Sequence, residues 1–135
     1  MTASANLVFD SWPVIAYLQG ESPAKRVIEI IADAHDRGRS LAMSAVNAGE
    51  VWYIISLRRG ADDADRAIDL IRSLGIRIVD VDWPTSRIAA AYKAKGGISY
   101  ADCLTAALAK QTNSILVTGD RKFRKLEKEI AIDWL

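Results

Sequence analysis

This chain is poor in the residues that define several large classes of protein. It has one cysteine, Cys103, which excludes an internal disulfide and, by itself, a structural zinc site. No run of about 18 uncharged apolar residues is present, so we expect no association with a membrane. Neither sign of charge is in clear excess, because 18 Lys and Arg against 17 Asp and Glu leave a net charge of +1. Any nucleic-acid site therefore has to be local.

Export signals are missing as well. Residues 1–6 contain no basic residue and no long apolar stretch, so we predict no signal peptide and a cytoplasmic location. The lone cysteine is compatible with a reducing compartment. With 135 residues, half of them apolar, the chain has material for one core and too little for two. We therefore expect a single domain over residues 1–135.

What is present is an alternation of short apolar runs with segments of helical period. The runs of strand character are residues 7–9, 41–43, 76–79 and 115–117, with 130–132 as a candidate edge strand. Helical patterns lie between them, and a short basic helix follows residue 120. Strands that alternate with helices predict a parallel sheet covered on both faces. The predicted class is α/β, with a central, mostly parallel sheet of four to five strands.

Four acidic residues stand at comparable places relative to these strands. Asp10 directly follows the first strand, and Asp120 follows the fourth after a Thr-Gly pair. Glu50 lies early on the helix that leaves the second strand, and Asp102 lies in the first turn of the helix that leads into the fourth. Ligands of an open parallel sheet bind at the carboxyl ends of its strands. We expect the first three acids to converge there, and Asp102 to join them if its helix starts at that edge.

The chemistry of this acidic set favours a divalent cation. Two like charges about 4 Å apart repel by about 4 kcal/mol at an effective dielectric of ~20. Such a group either raises the pKa of some members or binds a cation. Because the ligands are oxygens without paired His or Cys, the expected ion is Mg²⁺ or Mn²⁺. These ions polarise phosphoryl oxygens and activate water, which indicates hydrolysis of phosphodiester bonds.

Each acid also has a purely structural interpretation. Asp10 can cap the helix that follows it, and Asp120 can be an ordinary turn or cap residue. Residues 99–102 match a capping box, in which two side chains bond to each other's backbone amides. Glu50 differs, since it lies on an apolar helix directly after Gly49, where a glycine permits close backbone approach.

Polar, basic and aromatic neighbours complete the candidate site. The side chains that would orient a carboxylate or a metal-bound water, or else cap helices and turns, are Ser11, Asn47, Ser99 and Thr118. The basic run after Asp120 would attract phosphate, or else form a solvated helix face; its candidate phosphate contacts are Arg121, Lys122 and Arg124. We expect the tryptophans at core or interface positions rather than as stacking platforms for bases; they are Trp12, Trp52, Trp83 and Trp134.

The four acidic segments resemble the motifs of PIN domains, and specifically of the VapC-type toxins of toxin–antitoxin pairs. They are LVFDS at 7–11, SAVNAGEV at 44–51, ISYADCL at 98–104 and LVTGDRKF at 116–123. No single segment is specific, but the four together, in this order over nearly the whole chain, are. One departure is Trp12, where many members have a small residue.

This resemblance implies an α/β/α sandwich, a homodimer and a small VapB-type antitoxin that covers the active site. It implies an endoribonuclease dependent on Mg²⁺ or Mn²⁺, acting on an RNA such as tRNA or rRNA. The metal ligands that it implies, bound directly or through water, are Asp10, Glu50, Asp102 and Asp120. It makes Ser11 and Thr118 close polar support.

A second class of protein also fits the pattern, namely a PIN-like module that binds RNA or protein without cleaving. A degenerate module of this kind is expected to lack one or more of the acids, and all four are present. Aspartyl phosphatases place a second acid two residues after the first, where this chain has Trp12. Phospho-receiver domains pair acids at the first strand and carry a lysine after the last, and neither feature occurs. The ribonuclease is therefore the leading hypothesis.

Overall fold

Five short strands form one sheet in the computed structural model, which describes residues 5–135. The strands are β1 (Leu7–Phe9), β2 (Leu41–Ser44), β3 (Ile76–Val79), β4 (Ile115–Thr118) and β5 (Ile132–Trp134). Their order across the sheet is β3-β2-β1-β4-β5, and every pairing is parallel. The predicted α/β class is confirmed, with a sheet that is parallel throughout. Residues 1–4, part of the segment predicted to lack an export signal, lie outside the described residues.

Helices make the connections between the strands. They are α1 (Ser11–Leu18), α2 (Ala24–Asp36), α3 (Ala45–Arg59), α4 (Ala61–Ser73), α5 (Trp83–Ala94), α6 (Tyr100–Gln111) and a 3₁₀ helix (Arg121–Leu126). Their ends follow local signals, since the Ser44 hydroxyl caps α3 and Gly60, at a φ of 93°, ends it. A left-handed φ of this kind is where glycine is favoured. Within residues 5–135, every helix falls short of the length and apolar character that a bilayer crossing demands.

Alternate side chains of β1 and β4 enter two separate cores, one on each face of the sheet. Leu7 and Phe9 of β1 pack with residues of α1 to α4, whereas Val8 between them packs with α5, α6 and the 3₁₀ helix. Burial on both faces explains why β1 and β4 are unbroken apolar runs rather than alternating ones. Helices cover the sheet on both sides, which confirms the expected α/β/α sandwich.

The prediction for the last strand is wrong by two residues. β5 begins at Ile132, not at residue 130, and Ile132 lies opposite Leu116 of β4. Ile130 is instead buried at the end of the preceding turn, where its N–H donates to the carbonyl of Leu126 at 3.1 Å. The apolar run contains both a core residue and a strand residue, and only the pairing with β4 separates them.

Candidate active site

Asp10 is buried at the carboxyl end of the central strand β1, where it is 3% exposed. Its Oδ1 accepts the Ser11 backbone N–H at 2.9 Å, which caps α1, and its Oδ2 accepts the Thr118 hydroxyl at 2.9 Å. Burial raises the pKa of Asp10 from 3.8 to about 7, against the lowering effect of these hydrogen bonds. The charges of Asp102 and Glu50 raise it further. Asp10 therefore caps a helix and also belongs to an acidic cluster.

Asp102 lies half-buried in the first turn of α6 and belongs to the same acidic cluster as Asp10. Burial raises its pKa, as do the charges of Asp120 and Glu50, whereas a hydrogen bond from Ser99 and the charge of Lys122 lower it. The Ser99 hydroxyl accepts the Asp102 N–H at 3.2 Å, as expected for one half of the capping box. The charges of Glu50 and Asp120 act on Asp102, and Thr105, one turn later on α6, bonds to Asn47 in the first turn of α3 at 2.6 Å, so α6 starts at the carboxyl edge of the sheet.

Glu50 is held by a buried chain of hydrogen bonds. The Asn47 amide, one turn earlier on α3, donates to Glu50 Oε1 at 2.8 Å. The side-chain oxygen of Asn47, Oδ1, in turn accepts a hydrogen bond from the Thr105 hydroxyl at 2.6 Å and one from the Ser44 hydroxyl at 3.0 Å. Asn47 and Thr105 are completely buried. Sequence analysis missed Thr105, for which the only local signal is its position one turn after Asp102 on α6.

Gly49 does not have the role that the sequence indicated. It is exposed, and a Cβ at this position would have no heavy atom within 4 Å, so the predicted close approach is wrong. The close contact occurs instead at Gly119, where a Cβ would lie 2.4 to 2.9 Å from three ring atoms of Trp12. Exposures of 41% and 71% exclude a core position for Trp12 and Trp83, whereas an interface position for them stays a prediction.

Some of the other predicted neighbours make hydrogen bonds to the carboxylates of the acidic cluster, and others do not. Thr118 and Asn47 bond to carboxylates through their side chains, whereas Ser11 offers Asp10 its backbone N–H. In the basic segment, the Arg124 side chain is exposed. The backbone N–H of Lys122 donates to Asp120 Oδ1 at 3.0 Å.

Arg121 is attached to the carboxyl end of the chain rather than to the acids. Its guanidinium lies 4.9 Å from the ring centroid of Trp134, and it donates to the carbonyl oxygen of Leu135 at 3.4 Å. A cation at this distance over an indole face is a stabilising arrangement. Of the three basic residues predicted to meet phosphate, Lys122 is the one whose charge lowers the pKa of Asp102.

The donor set fits a hard divalent cation. Its four carboxylates offer oxygen ligands alone, and their mutual repulsion contributes to the raised pKa of Asp10 and Asp102, a condition that a bound cation relieves. Within residues 5–135, no three His, Cys, Asp or Glu side chains are already grouped around one metal position. Mg²⁺ commonly keeps several waters and takes one or two carboxylates directly, so the set does not need to close around the ion.

An acidic cluster at the carboxyl edge of a parallel α/β/α sandwich defines a class of proteins, and comparison with known families identifies which one. A family model described as PIN domain matches residues 7–129. The chain therefore belongs to the PIN domain family. None of the curated proteins matches it in sequence.

Solved structures with the same fold include toxin–antitoxin proteins. VapBC2 from Rickettsia felis, bound to a promoter DNA fragment, has a TM-score of 0.73 and 17% identity, covering 94% of this chain and 96% of that one. FitAcB from Neisseria gonorrhoeae has a TM-score of 0.67 and 24% identity, covering 93% and 95%. VapC20 from Mycobacterium tuberculosis, a sarcin–ricin-loop-cleaving toxin, has a TM-score of 0.65 and 16% identity, covering 82% and 87%. Likeness at these identities establishes the shared fold.

Proposed function

We propose that this chain is a metal-dependent endoribonuclease and the toxin of a type II toxin–antitoxin pair. The observation that carries the proposal is the hydrogen-bonded frame around these acids, in which Thr118 bonds to both Asp10 and Asp120 and Asn47 links Glu50 to Thr105, one turn after Asp102. Asp10 interacts with Asp102 and Glu50, and Asp102 interacts with Asp120 and Glu50. Four carboxylates brought together after β1, on α3, on α6 and after β4 repel one another. A bound cation compensates for that repulsion.

In this proposal Asp10, Glu50, Asp102 and Asp120 hold Mg²⁺ or Mn²⁺, some of them through water. The bound ion would supply an activated water and polarise the phosphoryl oxygen of the substrate. The chain contributes fixed ligand orientations, because Thr118 holds one oxygen of Asp10 and Asn47 holds one oxygen of Glu50. Hydrogen bonds of this kind raise metal affinity by restricting how the carboxylates point.

The proposed substrate is RNA, such as tRNA or rRNA, in the cytoplasm. Lys122 lowers the pKa of Asp102, so its charge already acts on the site, and with Arg121 and Arg124 it would counter the repulsion between RNA and the acids. The proposed protein partners are a VapB-type antitoxin and a second copy of the chain, which would act as one domain over residues 1–135. Family membership and the VapBC complexes among the similar structures support these partners.

Cleavage of a mixed tRNA and rRNA pool tests the proposal. Wild type, Asp10→Asn and Asp36→Asn are compared with Mg²⁺, with Mn²⁺ and with EDTA; Asp36 is an exposed acid at the end of α2 and serves as the matched control. We expect discrete products from wild type and Asp36→Asn, and none from Asp10→Asn or in EDTA. Cleavage by folded Asp10→Asn would overturn the assignment of the acids. RNA binding without products in either metal would favour the non-cleaving module instead.

A further inference from the structure

The indole of Trp12 lies on the backbone that joins two parts of the acidic cluster. Trp12 follows Asp10 by two residues, and its six-membered ring contacts Gly119, the residue between Thr118 and Asp120. A Cβ on Gly119 would come within 2.4 to 2.9 Å of ring atoms Cζ3, Cη2 and Cε3, closer than side chains tolerate. Gly119 does not have a positive φ, so glycine is needed here for space. The ring therefore packs on the Gly119 backbone, although Trp12 remains 41% exposed.

Beside the indole is an open cavity of about 450 Å³, a volume within the range of ~300–1,000 Å³ that ligand sites occupy. Its lining residues are Trp12, Ser22, Pro23, Arg26 and Leu135. Leu135 is tied to the candidate active site, because its N–H donates to the carbonyl oxygen of Thr118 at 2.9 Å. The cavity is therefore joined to the candidate active site through Trp12 and Leu135.

One guanidinium group lines this cavity, and a second is bonded to one of its lining residues. Arg26 lines it with a half-exposed side chain, 3.7 Å from Asp133. Arg121 donates to the carbonyl oxygen of Leu135 at 3.4 Å. A partly apolar pocket with an aromatic wall and cations at its margin complements a nucleotide, which joins a flat base to an anionic phosphate. Arg26 keeps about half of its side chain exposed beside its ion pairs with Glu29 and Asp133.

We propose that Trp12 is a specificity-determining residue whose exposed indole stacks on an unpaired base of the RNA substrate, next to the phosphate at the acidic cluster. This inference rests on the proposed ribonuclease function. The cavity would receive the base, and Arg26 and Arg121 would meet the flanking phosphates. Because paired bases are already stacked on their neighbours, the arrangement selects single-stranded or loop nucleotides over duplex.

Binding of fluorescein-labelled RNA, measured by anisotropy in EDTA so that no cleavage occurs, tests this role. The probes are a single-stranded oligonucleotide and a blunt duplex of the same sequence. We expect Trp12→Ala to weaken single-strand binding about 5- to 100-fold, the range found when a stacking aromatic is removed, and to change duplex binding much less. Trp12→Phe should keep most of the affinity. Trp83→Ala removes a more exposed indole that follows β3 rather than β1, and it should have no effect.

Gly119→Ala provides a second variant that displaces the indole without removing it. It should also weaken single-strand binding, and in the Trp12→Ala background it should add no further loss, because both changes act through one contact. With Mg²⁺ present, Trp12→Ala should raise KM for a single-stranded substrate more than it lowers kcat.

The outcomes separate this inference from the proposed function. If wild type cleaves RNA and Trp12→Ala binds and cleaves equally well, the stacking role is overturned and the nuclease stands. Equal losses on single strand and duplex would overturn it too, because they indicate a structural effect. If Trp12→Ala binds RNA normally but no longer binds the antitoxin, the surface serves protein and not RNA. If wild type neither binds nor cleaves RNA, the proposed function fails first.

Discussion

The Thr118 hydroxyl, at the end of β4, donates a 2.9 Å hydrogen bond to Oδ2 of Asp10, at the end of the neighbouring strand β1. The same hydroxyl oxygen accepts the backbone N–H of Asp120 at 3.0 Å. The parallel register, with Phe9 opposite Val117, brings positions 10 and 118 together at the edge of the sheet. One hydroxyl thus fixes an oxygen of one acid and the backbone of another.

Replacing Thr118 by valine should keep the shape of the side chain and remove its hydrogen bond to Asp10. We expect a higher pKa for Asp10, because a bond that favours the carboxylate is lost, and a divalent-ion affinity about 10- to 100-fold lower. The measurement is the Mg²⁺ concentration for half-maximal cleavage at fixed pH. Thr118→Ser keeps the hydroxyl and is the control. Wild-type metal affinity in Thr118→Val would show that the hydrogen bond does not orient a ligand.

The metal-free protein should lose stability as the pH rises from about 4 to about 7. Folded Asp10 has a pKa of about 7 against an ordinary 3.8, so over this interval the folded state holds a proton that the unfolded state has released. The free energy of unfolding therefore falls with rising pH, by at most about 4 kcal/mol for a difference of about three pKa units.

Urea unfolding in EDTA across this pH range measures the effect. Asp10→Asn should flatten the pH dependence and be more stable than wild type near pH 8, because the amide carries no charge to bury. A wild-type stability that rises between these pH values, or an unchanged slope in Asp10→Asn, would contradict the assignment to Asp10.

Adding Mg²⁺ or Mn²⁺ should stabilise the folded chain. A ligand at ten times its Kd contributes about 1.4 kcal/mol. For a domain of this size that corresponds to a rise of about 3–6 °C in Tm. The rise should disappear in Asp10→Asn, shrink in Glu50→Gln and persist in Asp36→Asn. An equal shift from NaCl of matched ionic strength would assign the effect to screening rather than to a site.

Replacing Thr105 by valine should destabilise the fold and misplace Glu50. The change removes the 2.6 Å hydrogen bond from Thr105 to the Asn47 side-chain oxygen, which keeps its 3.0 Å bond from Ser44, at a cost of about 0.5–1.5 kcal/mol. Thr112→Val is the control, since the hydroxyls of Thr105 and Thr112 both lie within hydrogen-bond distance of a carbonyl four residues earlier, at 3.1 and 2.7 Å, but Thr112 lies at the other end of α6. Chemical denaturation gives the stability, and Mg²⁺ titration of cleavage reports on Glu50. Equal effects of the two variants would argue against a role in positioning.

Local signals were sufficient to predict most helices and where each of the four acids stands relative to the strands and helices. The Ser99 hydroxyl accepts the Asp102 N–H, so the predicted cap of α6 is confirmed, and α3 begins in the same way, with the Ser44 hydroxyl accepting the Asn47 N–H at 3.0 Å. Such bonds span three residues and are visible in the sequence. The start of β5 was not predictable in this way, because pairing with β4 decides where an edge strand begins.

The sequence by itself determined the α/β class, the order of the elements and the position of each acid after a strand or at a helix start. Periodicity and capping act between neighbours in the chain, which is why they can be recognised without a structure. Only the tertiary structure decided the strand order, the hydrogen bond from Thr105 to Asn47 and the contact of Trp12 with Gly119. These contacts join residues far apart in the chain, and packing across the sheet, rather than local spacing, brings them together.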